Sequence, residues 1–533
     1  MKKKYVLLIP ILICMLCLQT TQAAKILGVF ILSAKSHYSL GNALLRGLAD
    51  AGHDVTMISP YEDIVPTKSG SYRSVVLTGF AERYEAIMKH VNPFEKAYTN
   101  DFTHFLKFQK IVYPGLERTL SHPNVQKLIN SDETFDVVIV EQFATEAFKA
   151  LAHHFKAHLV LFSSIGADSK LNYVVGNPTM VSYVPQVDTD FSREMTFCQR
   201  LYNTLLYIFE AVVTHYHWLP LQQEGLVKKY FPNSPSIFEL NYNVSLILVN
   251  SHESLQPSIP LVPNIIPIGG FHVKKPKPLP KDLQQYLDDA TEGVIFVSFG
   301  SSVKAVNLPK DKKEILITSF GKLNQKVLWK WEDDDLKGLP PNVKTQKWFP
   351  QMDLLAHPNV KLFITHGGIL SLTETVYNGV PVLVVPIFGD QAMNAQNVVL
   401  DKYGLTISFH DEDFSESKLL EYTSKLLNDP TFKENAQHRS KLYHDRPMGP
   451  MERAVYWIEY VIRHNGATHL RVAGVNLPWY QHYLVDVTTV VLLFIAIVVK
   501  LLCMSINLFL KPCTKSHKKA GFTQNKASKV KKN

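Results

Sequence analysis

Short apolar runs alternate along this chain with amphipathic stretches, the pattern of a parallel sheet packed between helices. Lys25 to Leu32 is a buried-strand run, Leu40 to Ala51 has helical spacing closed by Gly52, and Asp54 to Ser59 is the next strand. Phe135 to Val140 and Leu246 to Val249 supply further strands of the same half. Between them, residues 61–128 and 191–230 mix aromatics with turn signals and read as helical insertions over the first sheet. Met195, Phe197, Tyr202, Leu205, Tyr207 and Ile208 in the second insertion could line an apolar pocket or be ordinary core. The alternation restarts at Gly293 with a strand ending in Gly300-Ser301 and continues through strands at Lys326 to Trp329 and Lys361 to Thr365. A helix from Ile369 to Tyr377 is stopped by Asn378-Gly379 and followed by a strand from Pro381 to Pro386. Met451 to Arg463 is again helical in spacing.

These runs define a first Rossmann-like domain over 24–273, a stiff proline-rich linker over 274–292 and a second Rossmann-like domain over 293–483. The ends are different in kind. Residues 1–23 combine Lys2-Lys3-Lys4, a short apolar core and small residues near Ala23, which is a signal peptide. Residues 484–503 are long and apolar enough to cross a bilayer, with Lys500 near one end and a basic tail over 504–533. The positive-inside rule puts that tail in the cytosol and the body in the lumen.

Charge adds one exclusion. The formal net charge is +9, but Lys2 to Lys4 and nine lysines from Lys500 to Lys532 account for more than all of it. The body is slightly negative, which disfavours a nucleic-acid partner. Of five cysteines only Cys198 lies in the body, so no intrachain lumenal disulfide is available there. Asn243-Val244-Ser245 is the single glycosylation sequon. His154 and His158 have the spacing of a helical metal pair, but no acid or Cys completes a site nearby.

The chemistry gathers from Trp348 to Gln391, where polar residues collect at the carboxyl ends of strands. His366-Gly367-Gly368 opens a helix whose first N–H groups can bind an anion, with His366 and Ser371 as additional donors. Glu374, one turn beyond Ser371, suits a vicinal diol, and Trp348 or Phe349 an aromatic base beside Gln351. Ser301 could meet the same anion from the other side. In the first half no Gly-x-Gly-x-x-Gly follows the first strand, which argues against a nicotinamide dehydrogenase.

The stretch resembles the donor-binding signature of the UDP-glycosyltransferase family, most closely its membrane-bound arthropod members. The resemblance covers nearly the whole chain after residue 23 and implies a GT-B fold: two facing Rossmann-like domains with a C-terminal transmembrane helix. It assigns uracil to Trp348 and Gln351, the pyrophosphate to His366 and Ser371, the ribose to Glu374, and the sugar hydroxyls to Asp390 and Gln391. Many relatives have Asn where this chain has Leu370. The family's catalytic histidine falls on His37, in the loop after the first strand, and its acidic partner on Glu141, where many relatives carry Asp.

The implied activity is inverting transfer of a hexose, glucose, from a UDP-sugar to a small lipophilic acceptor, with neither cofactor nor metal. A UDP-glucuronate-dependent transferase and a membrane-anchored binding protein that has lost catalysis are the rival readings, and self-association stays open. Relatives that use UDP-glucuronate have an arginine where this chain has Asn250, although a protonated His252 could stand in for it. The ending Lys529-Val-Lys531-Lys532-Asn533 resembles the dilysine retrieval signal of the endoplasmic reticulum membrane.

Overall fold

The structure, a computed structural model, describes residues 23–510 except 91, 96–103, 214–218, 335 and 411–413. Residues 1–22 of the signal peptide and the tail beyond Leu510, with its dilysine ending, therefore lie outside the described residues. Up to Val472 the chain forms one compact unit holding two parallel sheets; residues from Ala473 form a second unit.

The first sheet contains β1 (Lys25–Val29), β2 (Asp54–Ser59), β3 (Ser71–Val76), β4 (Val137–Glu141), β5 (His158–Ser163), β6 (Val244–Val249) and β7 (Ile265–Pro267), in the order β3-β2-β1-β4-β5-β6-β7. The second contains β8 (Val294–Ser298), β9 (Lys326–Lys330), β10 (Val343–Gln346), β11 (Val360–Thr365), β12 (Val382–Val384) and β13 (Gly404–Thr406), in the order β10-β9-β8-β11-β12-β13. Every pairing is parallel. Both faces of each sheet are covered, so central strands such as β4, β6 and β8 are buried throughout and read as unbroken apolar runs. In each sheet the chain moves outward one way, then crosses back over its first strand. The crevices between β1 and β4 and between β8 and β11 are thus topological switch points, where open parallel sheets bind ligands.

Eight helices matter below: α1 (Lys35–Asp50), α2 (Ser169–Val175), α3 (Phe197–Glu210), α4 (Gln351–Leu355), α5 (Ile369–Asn378), α6 (Gln391–Leu400), α7 (Pro450–Arg463) and α8 (Val485–Leu510). α7 lies late in the chain yet packs Ala454, Ile458 and Val461 into the core of the first sheet beside Leu44, Leu45 and Leu48 of α1. A second tie is electrostatic. Asp401, at the end of α6, takes Arg193 at 2.9 Å and Arg439 at 2.5 Å, and Arg439 also donates to the Ser254 carbonyl.

Several elements differ from the sequence reading. Residues 71–76, read as part of a helical insertion, form edge strand β3; half-exposed residues such as Arg73 interrupt the apolar alternation that marks a strand. Within the expected linker 274–292, Lys281–Asp288 is a helix whose Leu283 and Leu287 pack into the second domain. His154 and His158 share no helix: the chain turns through Lys156 (φ 53°), and His154 Nε2 pairs with the Ile129 carbonyl at 2.8 Å. Helix α8 runs to Leu510, beyond the expected end at 503; Val485–Phe509 is long and apolar enough to cross a membrane and has no buried residues.

Candidate functional site

Both switch points carry reactive side chains. In the first domain, α1 begins at Lys35, five residues earlier than the apolar spacing indicates, so His37 stands in the helix's first turn rather than on a loop. Its polar opening, Lys35-Ser36-His37, has no apolar stripe to betray it. Glu141 is the last residue of β4, which adjoins β1, and its carboxylate lies 2.6 Å from His37 Nδ1. A carboxylate can only accept, so Nδ1 carries the proton and Nε2 is left as a base. The extra methylene of Glu relative to Asp still allows this contact. The Glu141 side chain is 3% exposed and that of His37 20%, so the pair is shielded while the ring stays reachable. Phe143 packs edge-on against the imidazole at 4.9 Å between centroids. Burial pulls the His37 pKa down, but the Glu141 charge, its hydrogen bond and the Asp390 charge together raise it above 6.5. Asp136, the residue before β4, accepts from the Lys25 backbone N–H at 2.7 Å.

In the second domain, β11 ends in His366-Gly367-Gly368 and α5 starts at once with Gly368 as its cap. Gly367 has φ +87°, a conformation costly to any other residue. A Cβ on Gly300 or Gly368 would come within 2.6 Å of the His366 ring, so both glycines also make room for that imidazole. Burial, followed by the Lys330 charge, pulls His366 down to about 4, so it is a neutral ring at physiological pH. Gln351, first residue of α4, donates to Ser371 Oγ at 3.2 Å and Glu374 Oε2 at 2.7 Å, drawing three expected donor-site residues into contact. Burial pushes Glu374 up to about 7, against the Gln351 hydrogen bond. Trp348 is 68% exposed, whereas Phe349 is buried against Phe296, so only Trp348 offers a face to a base. Ser301 follows Gly300 in the turn after β8 and is partly exposed.

At the start of α6, burial raises the Asp390 pKa, and His37 lowers it in return; the two groups from opposite domains each favour the other's charged form. Gln391 is less available than expected. Its side-chain oxygen accepts from the Ile387 and Phe388 N–H groups at 2.9 and 3.0 Å, leaving only its amide nitrogen for a sugar. Leu370 packs against the apolar cluster of the first domain, so this position serves the domain interface.

Two residues of this region escaped the sequence reading. Lys330, at the carboxyl end of β9, donates to the Gly300 carbonyl at 2.5 Å and stands 5.5 Å from the Trp348 ring centroid. Burial, with Lys35 and Lys304 nearby, lowers its pKa despite Glu332 at 3.3 Å. Its place at a strand end next to a switch point was the available signal. Asn394, in the first turn of α6, donates to the Gly367 carbonyl at 3.0 Å and to Asp390 at 2.7 Å, so it ties the glycine turn to that acid.

Asn250 is buried and its amide donates to the Ser164 carbonyl at 3.0 Å, while its oxygen has no partner among the described residues. Burial and the Arg446 charge pull His252 down to about 4, so it supplies no cation near neutral pH. Asn243 is exposed, but its side-chain oxygen accepts from Arg471 at 3.1 Å. Among the described residues no three His, Cys, Asp or Glu side chains gather as a metal ion would require.

Two facing Rossmann-like sheets with this arrangement define a GT-B glycosyltransferase fold. The calicheamicin glycosyltransferase CalG4 matches with a TM-score of 0.58 at 18% identity, over 83% of this chain and 99% of that one. A Polygonum tinctorium UDP-glucosyltransferase capable of glucosylating indoxyl matches at 0.55 and 17%, with the same coverages. The family model described as "UDP-glucoronosyl and UDP-glucosyl transferase" matches residues 25–520, and the chain belongs to this family. UDP-glycosyltransferase UGT5 of Dactylopius coccus is 37% identical over 496 residues, 91% of this chain and 92% of that protein. UDP-glucosyltransferase 2 of the same organism is 34% identical over 483 residues, with 89% and 91% covered. UDP-glucuronosyltransferase 2C1 of Oryctolagus cuniculus is 35% identical over 325 residues, 61% of this chain and 64% of that one. The protein is thus a UDP-glycosyltransferase, with glucosyl- and glucuronosyltransferases both among its relatives.

Proposed function

We propose that this enzyme transfers glucose from UDP-glucose to a hydroxyl of small lipophilic molecules, with inversion, and so serves conjugation or detoxification. The observation that carries the reading is the 2.6 Å contact between His37 Nδ1 and the shielded Glu141 carboxylate, facing Asp390 of the other domain. His37 Nε2 takes the acceptor's hydroxyl proton as its oxygen attacks the anomeric carbon. A new carbon–oxygen bond forms there, and the bond to the diphosphate breaks with its electron pair leaving on UDP. Attack opposite the leaving group turns an α-linked donor into a β-glycoside.

Trp348 stacks on uracil, Gln351 reads its edge, and Glu374 holds the ribose hydroxyls. Ser301, His366 and Ser371 donate to the diphosphate at the start of α5, where Lys330 adds positive charge. These donors can stabilise the departing charge without a metal ion. Asp390 and the Gln391 amide meet the sugar hydroxyls. Glucose is favoured over glucuronate because Asn250 cannot neutralise a carboxylate and His252 is held neutral. An N-terminal signal, α8 and the basic tail make it a single-pass protein of the endoplasmic reticulum membrane with a lumenal catalytic body.

His37→Ala tests the core of this proposal. UDP binding should persist while transfer to alcohols is abolished, and phenols that are already partly ionised should lose less. Full activity in the variant would overturn the assignment of the base.

A further inference from the structure

Phe94 belongs to the first domain by sequence and to the second by packing. It lies between β3 and the helix His104–Ser121, whose Leu116 and Leu120 pack on the first sheet. Yet Phe94 is buried in the apolar cluster of the second domain, whose other described members all lie beyond Gly293. Its ring centroid stands 4.9 Å from that of Phe409 and, edge-on, 6.1 Å from that of Phe299. Asn92 presents it there. The Asn92 side-chain oxygen accepts from the Phe94 N–H at 3.2 Å, and its amide donates to the Asn307 carbonyl at 2.9 Å. Earlier in the same excursion Tyr84, whose phenol burial pushes up in pKa, hydrogen-bonds the Ser302 side chain.

These contacts fall on Phe299, Ser302 and Asn307, on either side of Ser301. The segment 299–307 follows β8 and opens with Gly300 at φ +86°, so contacts with its neighbours fix its path. Its own domain supplies two of them, from Lys330 to the Gly300 carbonyl and from Glu332 to the Val306 N–H. The first domain supplies the rest.

We infer that Phe94 and Asn92 are positioning residues for the donor: reaching across from the first domain, they hold segment 299–307 so that Ser301 meets the diphosphate. The inference rests on the donor role proposed for Ser301. The domain that carries the base thereby also shapes the phosphate end of the donor site, without either residue touching the nucleotide. A binding group misplaced by about 1 Å can lose most of its effect. Loosening the segment should therefore spare the nucleoside contacts of Trp348, Gln351 and Glu374 and weaken only ligands that carry the diphosphate.

The test measures UDP and uridine binding to the full chain by calorimetry. Phe94→Ala should weaken UDP roughly ten- to hundredfold, the worth of a hydrogen bond to a charged group, and leave uridine nearly unchanged. The KM for UDP-glucose should rise more than kcat falls. Phe94→Leu, which refills the apolar seat, should recover most of the loss. Ser301→Ala should show the same selective loss, and adding Phe94→Ala to it should cost little more, because both act through one contact. Uridine binding also reports folding; if Phe94→Ala abolishes it, Asn92→Ala, which cuts the tie to Asn307, takes its place with the same expectations. Equal losses of UDP and uridine, or losses that add in the double variant, would overturn the inference alone. An unchanged UDP affinity in Ser301→Ala would refute the donor role of Ser301 and the inference with it, so the two failures are distinguishable.

Discussion

Replacing Glu141 with Gln keeps the shape of the catalytic pair and removes its charge. Gln can still accept from His37 Nδ1, but it cannot stabilise the imidazolium that forms as the acceptor loses its proton. A hydrogen bond to a charged group contributes about 1.5–3 kcal/mol. Losing it in the transition state should lower kcat roughly 10- to 150-fold. The pH profile gives a sharper readout. In the parent, His37 titrates above 6.5 because Glu141 and Asp390 outweigh burial. Burial is the largest single influence, and Asp390 the smallest of the three that oppose it. Without Glu141 the imidazole should therefore titrate below 6.5, moving the acid limb of kcat to lower pH. Stability should follow the same sign. A raised histidine pKa stabilises the fold below about pH 6.5 and ceases to do so as pH rises through the raised value. The variant should accordingly lose more thermal stability at pH 6 than at pH 8.5. Initial rates with a simple alcohol acceptor from pH 5 to 9, with UDP affinity measured in parallel, would decide the matter. An acid limb in the same place in both proteins would refute the pairing as the source of the base's pKa.

Other perturbations separate the parts of the donor site. Glu374→Ala should weaken uridine and UDP alike by about 1.5–3 kcal/mol, roughly one to two decades in affinity, and 2′-deoxy-UDP should be much less affected, all measurable by calorimetry. Lys330→Met should weaken UDP by a similar factor while sparing uridine, as its proposed role at the phosphate end requires; equal losses for both ligands would remove it from that role. Gly368→Ala puts a Cβ within 2.6 Å of the His366 ring and should cost about 1–3 kcal/mol of stability or donor affinity, read by thermal melts with and without UDP.

The buried strands were legible because a parallel sheet covered on both faces leaves long apolar runs, as in β1 and β4. The Trp348–Gln391 stretch was legible because glycines, a histidine and an acid keep fixed spacings around one turn. Other features depended on tertiary contacts that spacing cannot express. The α1 start was missed since Lys35, Ser36 and His37 form a helical turn with no apolar residue. The α3 residues looked like pocket or core, but buried contacts of Asn203 and Glu210 turn Phe197, Leu205 and Ile208 outward; only Met195 and Tyr207 are buried. Gln391 opens α6, and half its amide is committed to its own loop. Lys330 looked like the end of a strand, and only folding brings it to Gly300 and Trp348. An open polar cavity lined by Asp401, Arg193 and Arg439 contains none of the expected site residues.

The central claim is inverting transfer of glucose, and one competition tests it most directly. Membranes carrying the protein are given equal amounts of UDP-glucose and UDP-glucuronate with a phenolic acceptor, and the product is weighed by mass spectrometry and its anomeric coupling read by NMR. The account predicts mainly the β-glucoside. A product that is mainly glucuronide, or that retains the α configuration, would contradict it.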